Sequence, residues 1–301
     1  MQRRLRAAAG VLAVVAVAAL IAACGGSSGS GPPAARLLSQ AFGTNAGQIR
    51  SGELSLSVHA SLPGLTALGG SSLGVQLSGP FSVSRGQPPA FDLNATVSVL
   101  GNSIPVGVIS AGGALYVAFA GTDYSLPASI GGLLRREASS QGTRSRSLLT
   151  SLGIDPRSWL EGAQDVGSAN VGGVSTDHIT AQVNTAKFVA DLQKLLGGLG
   201  SAVPGASASV PVDDLRLLAQ IVKSATVDVY TGASDHIVRE FRLAVALSVP
   251  QADQAALGGL TGGSLTLDLA ITNLNAPETI KPPVSSKPFS SLLGGGSLPS
   301  L

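Results

Sequence analysis

The chain of 301 residues is poor in the side chains that perform most protein chemistry. It has one cysteine, which excludes an internal disulfide, so packing has to supply the stability of the fold. The three histidines, His59, His178 and His236, are isolated in sequence, and none has a cysteine, histidine or carboxylate at the spacing of a zinc site. We therefore predict no metal and no cofactor.

Charge is also scarce. Charged residues make up 12% of the chain, as 19 Lys and Arg against 17 Asp and Glu. Three basic residues, Arg3, Arg4 and Arg6, precede an apolar run at 7–23, and 19 minus 3 leaves 16 basic residues for the remainder. A nucleic-acid-binding protein needs a basic face with interleaved aromatic side chains, and this near-neutral body does not offer one. We predict no nucleic-acid partner.

Catalytic motifs are equally scarce. Two Gly-x-Ser-x-Gly matches occur, at 25–29 and 70–74, but neither has the strand-to-helix context that the motif needs. The adjacent Asp213 and Asp214 favour a helix cap over a carboxylate pair. We predict no catalytic residue and no enzyme activity. An extracytoplasmic hydrolase is an alternative only if two of the three histidines meet acids in space.

The N-terminus carries the clearest signal. The residues Ile21-Ala22-Ala23 directly precede the single cysteine, Cys24, after a basic start and a long apolar run. This resembles a bacterial lipobox, which implies that residues 1–23 are a signal peptide and that Cys24 is acylated. Each buried CH₂ contributes about 0.8 kcal/mol, so two or three acyl chains would hold an exported protein on the outer face of the cytoplasmic membrane. The alternative is an uncleaved membrane helix, since about 17 apolar residues reach the lower limit for a span.

The chain after the signal divides into a tether, a body and a tail. Residues 24–33 comprise the acylated cysteine and a flexible tether, whose nine Gly, Ser and Pro residues span about 15–18 Å. Residues 34–280 are long enough to bury a sizeable core and are predicted to form a single domain. The Pro, Ser and Gly content of 281–301 predicts a disordered tail.

Alternating apolar and polar residues dominate the body. From Glu53 to Leu62 every second residue, starting at Leu54, is apolar, which is typical of an antiparallel strand with one wet face. Similar alternation, separated by Gly and Pro, predicts further strands. These are 75–84, 91–99, 103–111, 114–120, 171–183, 226–231, 237–249 and 264–272.

Helical spacing is confined to fewer segments. Apolar residues share one helical stripe within 37–49 and another within 185–197. A further helix is predicted at 212–224, and 128–165 is predicted to be mainly helical or irregular. The sum is an α+β layout, in which one curved antiparallel sheet with helices against its apolar face satisfies every stripe. A two-sheet sandwich is the alternative, but it leaves the helices without an obvious place.

Inward-facing residues of the predicted strands are candidates for lining a cavity. A filled core requires the same alternation, so both interpretations stay open. The scarcity of aromatic residues favours the cavity, because small aliphatic side chains leave room that rings would fill. The candidates are Leu54, Leu56, Val58, Phe91, Leu93, Val97, Phe241, Leu243 and Val245.

A local excess of arginine stands apart from these positions. In the segment 128–165 it could meet anionic lipid headgroups, where each basic residue contributes about 1 kcal/mol. The alternative is an ordinary solvated loop. The candidate headgroup contacts are Arg135, Arg136, Arg144 and Arg146.

The order of several short motifs resembles a known family. These motifs are Ala114-Leu115-Tyr116-Val117, Thr122-Asp123-Tyr124-Ser125-Leu126-Pro127, Asp155-Pro156-Arg157-Ser158-Trp159-Leu160, Val171-Gly172-Gly173-Val174-Ser175-Thr176 and Asp235-His236-Ile237-Val238-Arg239. Over most of 34–275 their order is similar to that of the LppX/LprG-type actinobacterial lipoproteins. The resemblance implies a LolA/LolB-like fold, which is a strongly curved antiparallel half-barrel with helices across its mouth and an apolar cavity. It also implies the binding of acylated lipids or glycolipids and supplies no catalytic residue.

The functional prediction combines the anchor and this resemblance. The chain is expected to be a membrane-anchored envelope lipoprotein that binds an acylated lipid or glycolipid for transport or presentation, with an envelope transport partner of unknown identity. The alternative is a structural or regulatory envelope lipoprotein with a filled core that acts through its surface.

Overall fold

The computed structural model describes residues 33–45, 48–64, 72–84, 87–99, 101–128, 132, 156–188, 190 and 220–291. Within these ranges the chain forms one open sheet of twelve strands, in the order β12-β6-β5-β4-β3-β2-β1-β11-β10-β9-β8-β7. Every pairing is antiparallel except that of β12 with β6. The predicted α+β fold, built on one large antiparallel sheet, is confirmed. The strands are β1 (Ser51–Ser61), β2 (Ser72–Ser82), β3 (Ala90–Val99), β4 (Asn102–Ala111), β5 (Ala114–Phe119), β6 (Thr122–Ser125), β7 (Leu160–Val171), β8 (Val174–Val183), β9 (Val222–Gly232), β10 (Val238–Ser248), β11 (Gly262–Thr272) and β12 (Lys287–Pro288).

The strand register places the apolar stripes on one face of the sheet. Leu56 of β1 lies opposite Leu269 of β11 on one side and Leu77 of β2 on the other. Side chains directly opposite each other in a sheet point to the same side. The apolar residues of neighbouring strands therefore form one continuous surface, which we call the inner face. The other side, the outer face, carries polar side chains such as Ser55 and Ser57.

The inner face differs between its two ends. One end, the packed end, holds a core of mutually packed, buried side chains. They are Leu54, Leu56, Phe81, Leu93, Leu269 and Ile271. At the opposite end, the far end, the inner face carries Val97, Ile104 and Phe119, which are half-buried or exposed. On the side of β3 to β5 the far end is thus less buried than the packed end. Around the far ends of β9 and β10, by contrast, Ile221, Val249 and Leu260 form a third buried core.

A glycine in β2 permits a close approach of two strands at the packed end. Gly79 has a φ of +148° and lies opposite the buried Leu54. A Cβ atom at this position would overlap the carbonyl oxygen of Asp92 in β3. Glycine inside a strand is typical of a bend or of the close approach of another backbone. Gly79 therefore lets β2 and β3 come together beside the core.

The first helix, Pro33–Ser39, continues into a π-helical turn, Gln40–Thr44, and covers part of the inner face. Phe42 of this turn meets Phe241 of β10 edge to face, with ring centroids 6.5 Å apart. The helix contributes to a second core over β8 and β9. Its buried members are Ala34, Leu38, Ile179, Val227 and Val229.

This helix runs from the far end towards the packed end. Beyond its last turn, the Asn45 side-chain amide donates to the backbone carbonyl of Asp235 (2.8 Å), in the loop after the packed end of β9. The helix itself contacts β7. Its cluster includes Leu160 and Val183, which pair with each other at the far end of β7 and β8. Pro33, where the predicted tether joins the body, therefore lies towards the far end.

The edge strand β7 corrects a sequence prediction. The segment 128–165 is predicted to be mainly helical or irregular, but its last residues belong to Leu160–Val171, which pairs with β8. This strand is largely exposed and is interrupted by two register shifts, with Gly162 and Gly167 at positive φ. A strand that buries no regular stripe shows no alternation in its sequence. Such irregularities are typical of edge strands that resist pairing with another chain.

The structure also tests the boundaries of two predicted helices. The helix predicted at 212–224 ends too late, because β9 already begins at Val222. The helix predicted at 185–197 does start where expected, since the Lys187 N–H donates to the Asn184 side-chain oxygen at 2.9 Å as in a helix cap. Residues 191–197 lie outside the described ranges.

The chain after β11 returns to the opposite edge of the sheet. The Ser51 hydroxyl donates to the carbonyl of Ala276 (2.6 Å), which ties the segment to the packed end of β1. Eleven residues later, Lys287 and Pro288 pair in parallel with Tyr124 and Ser125 of β6. The sheet therefore includes residues beyond position 281, where the sequence predicts the start of a disordered tail.

No helix within the described ranges is long and apolar enough to cross a membrane. The apolar run 7–23 and Cys24 lie outside those ranges, so the signal peptide and the acylated cysteine stay predictions.

Candidate functional site

The nine residues predicted to line a cavity all project from the inner face. In β1, β3 and β10 they occupy alternate positions, and the intervening strands connect them. Val97, for example, lies opposite Val75, which lies opposite Val58. Leu243 connects to the same surface through Leu267 of β11.

Burial separates these nine residues into two groups. Leu54, Leu56 and Leu93 are only 1%, 2% and 8% exposed and belong to the core of the packed end. Other side chains of that core already cover them. The remaining six are half-buried: Val58, Phe91, Val97, Phe241, Leu243 and Val245.

Among the half-buried group, Val97 and Val245 differ from the rest. The other four pack against the core of the packed end or against the core beneath the first helix. Val97 and Val245 belong to none of the cores found in the described part of the chain. They are therefore half-buried apolar positions of the inner face that lie apart from these cores.

Sequence reasoning missed the continuation of this surface into β4 and β5. Ile104 lies opposite Val97, and Phe119 lies opposite Val106, so all four share the inner face. Ile104 is 48% exposed and Phe119 is 37% exposed. The alternation of Ile104, Val106 and Val108 was visible in the sequence, but it could not show that this half of the face is the less buried one.

The outer face carries a polar cluster that the sequence did not reveal. His178 of β8 stacks on Tyr230 of β9 with ring centroids 4.4 Å apart, and its Nε2 lies 2.8 Å from an oxygen of Asp228. The Arg242 guanidinium lies 5.1 Å from the Tyr230 ring centroid and hydrogen-bonds to Glu240 at 2.6 Å. The Tyr230 pKa is raised by burial, against an opposing effect of Arg242, while the bond to Glu240 raises the Arg242 pKa.

A second histidine also meets an acid. His236 Nδ1 lies 3.7 Å from a carboxylate oxygen of Asp177. The condition set for the hydrolase alternative is therefore met for two histidines. However, Asp177 and His178 are consecutive in β8, so their side chains point to opposite faces of the sheet. The two pairs cannot form one site, and His59 is exposed on β1.

Within the described ranges, no group of three or more His, Cys, Asp or Glu side chains is placed to hold a metal ion. The predicted anchor Cys24 and the candidate headgroup contacts lie outside those ranges. These contacts are Arg135, Arg136, Arg144 and Arg146.

Comparison with known proteins gives matches only at the level of solved structures. No protein-family profile and no curated protein matches the chain. The crystal structure of LprF from Mycobacterium bovis matches with 14% identity and a TM-score of 0.43, over 85% of this chain and 99% of that one. The lipoprotein LppX from Mycobacterium tuberculosis matches with 15% identity and a TM-score of 0.40, over 84% of this chain and 100% of that one. This chain is similar to both.

These matches agree with the resemblance that the sequence motifs indicate. Identity and TM-scores this low leave the function to be argued from the geometry of the inner face.

Proposed function

We propose that this protein is an envelope lipoprotein that binds the acyl chains of a lipid or glycolipid on the far half of its inner face. The observation that carries the proposal is the contrast along that face. The packed end is filled by its own side chains, whereas Val97 and Val245 are half-buried outside the cores that the described residues form, and Ile104 and Phe119 are exposed.

Apolar burial is the driving force for such binding. It contributes about 25 cal/mol per Å² of apolar surface removed from water and requires no directional contact. The half-buried positions are Val, Leu and Phe side chains without polar groups, so they accept a flexible hydrocarbon chain without selecting its exact length. The buried Leu54, Leu56 and Leu93 belong to the core of the packed end, so we do not expect them to contact the ligand. The headgroup then stays at the rim.

The anchor completes the proposal. Acylation of Cys24 would hold the exported protein at the outer face of the cytoplasmic membrane, close to membrane lipids. Arg135, Arg136, Arg144 and Arg146 are proposed to contact anionic headgroups there. The resemblance to LppX/LprG-type lipoproteins supports transport or presentation of the bound lipid.

The proposal is tested by measuring the lipid bound to a variant in which a bulky side chain occupies the proposed binding surface. Val97→Trp should reduce the acylated lipid that co-purifies with the full chain, because the indole occupies space that the acyl chain needs. The matched control is Asn94→Trp, at an exposed position of the same strand on the outer face. Organic extraction and mass spectrometry of both proteins measure lipid per protein, and the thermal midpoint checks folding.

Normal lipid occupancy in a folded Val97→Trp protein would show that Val97 does not line the ligand site. If the wild-type protein carries no acylated lipid and takes up none that is added, the binding function itself is wrong. The chain would then act through its surface.

A further inference from the structure

The far end of the sheet includes two hairpin tips, one between β3 and β4 and one between β5 and β6. We call their exposed residues, Ser103–Pro105 and Phe119–Gly121, the far rim. We propose that the far rim docks on the phospholipid bilayer and inserts Ile104 and Phe119 among the lipids. This inference rests on the proposed function, since it states where the anchored protein receives its ligand.

Exposed apolar side chains are the first observation. Five large hydrophobic residues are exposed in the described part of the chain: Ile104, Phe119, Val166, Val174 and Val284. Two of them lie at the far rim, on adjacent strands and on the same face. Apolar residues of this kind on a neutral surface contribute binding free energy when they enter the headgroup boundary of a bilayer.

The absence of charge is the second observation. No Asp, Glu, Lys, Arg or His occurs from Leu93 to Thr122, a segment that includes both tips of the far rim. A charged group is costly to move out of water, so a surface that enters lipid has to lack one. The other exposed apolar residues do not meet this requirement in sequence. Val166 follows Asp165, and Val174 lies three residues before Asp177.

The start of the body is the third observation. The first helix runs from the far end, so Pro33 lies at the same end of the sheet as the far rim. From its composition, the predicted tether from Cys24 is expected to span only about 15–18 Å. Strands of eleven residues extend for about 36 Å at 3.3 Å per residue, so a tether attached near the far end holds that end closest to the membrane.

The geometry also connects the far rim with the proposed ligand surface. Ile104 lies directly opposite Val97, and Phe119 lies opposite Val106 on the same inner face. An acyl chain that leaves the bilayer between these side chains meets apolar surface continuously as far as the packed end. Docking through the far rim therefore spares the acyl chain a passage through water.

Site-specific fluorescence quenching tests this orientation. The full lipoprotein is purified from membranes and reconstituted into phosphatidylcholine vesicles that contain a brominated lipid. A thiol-reactive, membrane-sensitive probe is placed at Ser103→Cys in the far rim or at Ser175→Cys, an exposed position near the packed end. Because Cys24 is acylated, the wild type should take up no probe. We expect several-fold stronger quenching at position 103 than at position 175.

Apolar substitutions then identify the groups responsible. In the Ser103→Cys protein, the double change Ile104→Ser with Phe119→Ser should lower quenching to the level of position 175. Val166→Ser with Val174→Ser removes two apolar residues that are at least comparably exposed and should leave the quenching unchanged. Equal quenching at 103 and 175, or equal effects of the two double changes, would overturn the docking proposal. Labelling of the wild type at Cys24 would also overturn it, since the tether would then lack its anchor.

Lipid extraction from the same preparations separates this inference from the proposed function. Normal lipid occupancy combined with equal quenching at both positions means that the ligand is bound but that the far rim does not dock. Absence of lipid combined with stronger quenching at position 103 means that the far rim docks but that the inner face is not a ligand site.

Discussion

Gly79 shows how a single residue controls the packed end. Its φ of +148° is unfavourable for any residue with a Cβ, and the position is crowded by the Asp92 carbonyl. Gly79→Ala should therefore destabilise the protein by about 1–3 kcal/mol through backbone strain. Chemical denaturation measures the loss.

Gly101 provides the matched control for this change. It also has positive φ, at +75°, but a Cβ there would meet nothing within 4 Å. Gly101→Ala should cost less than Gly79→Ala, because it adds conformational strain without a clash. Equal losses would mean that the close approach of β2 and β3 is unimportant.

Asp235 is expected to make the stability of the protein depend on pH. Burial acts to raise its pKa, but hydrogen bonds from the Ile237 N–H and the Arg239 guanidinium outweigh this and hold the pKa below 3.8. The stabilisation is therefore complete above pH 3.8 and is lost as the pH falls through the lower folded-state pKa. Because Asp235 is partly exposed, solvent screening keeps its contribution to about 1 kcal/mol.

Asp235→Asn should lower the free energy of unfolding at neutral pH and leave it nearly unchanged under acid conditions. Denaturation at a series of pH values tests this expectation. Ser234→Ala, in the same turn, should follow the wild-type profile. A constant difference between Asp235→Asn and the wild type down to acid pH would contradict the assignment.

The first helix is the element that covers the inner face over β8 and β9. Leu38 is 5% exposed and packs with Ile179 and Val229. Leu38→Ala should destabilise the protein by about 2–5 kcal/mol, since it leaves a cavity in this core. Thermal or chemical unfolding measures the change, and Arg36→Ala, on the exposed side of the same helix, is the control. Similar effects of both changes would show that the helix is not held by its apolar side.

Elements differ in how far the sequence predicted them. β1, β3, β10 and β11 bury one regular face, and their alternation predicted each of them to within two residues or so. β7 has no such stripe, because it is an edge strand with two register shifts. β6 has four residues, which is too few for alternation to be recognised.

At the scale of the whole molecule, the candidate site was predicted in part. The inner face followed from alternation, because a strand with one buried face repeats every two residues. Its division into a packed end and a far end depends on which strands meet across the sheet, so the sequence could not supply it. The outer-face cluster was invisible for the same reason. His178 and Asp228 are separated by 50 residues and meet only because β8 pairs with β9.

The place of β11 has a consequence for how the chain reaches this structure. β11 is the last long strand in sequence, yet it lies in the middle of the sheet between β1 and β10. Leu54 and Ile271, which face each other there, are 271 minus 54, or 217, positions apart. Contacts of such separation form slowly, because closing the intervening loop costs entropy before any contact compensates for it.

The strands β1 to β6 form a run of neighbouring hairpins, as do β7 with β8 and β9 with β10, and these local units can form early. β11 joins the two halves, and the core of the packed end is complete only after it docks. If the chain is exported N-terminus first, as the proposed function requires, its sheet stays incomplete until almost the entire length has crossed the membrane. During that interval its apolar strands would be exposed and open to aggregation.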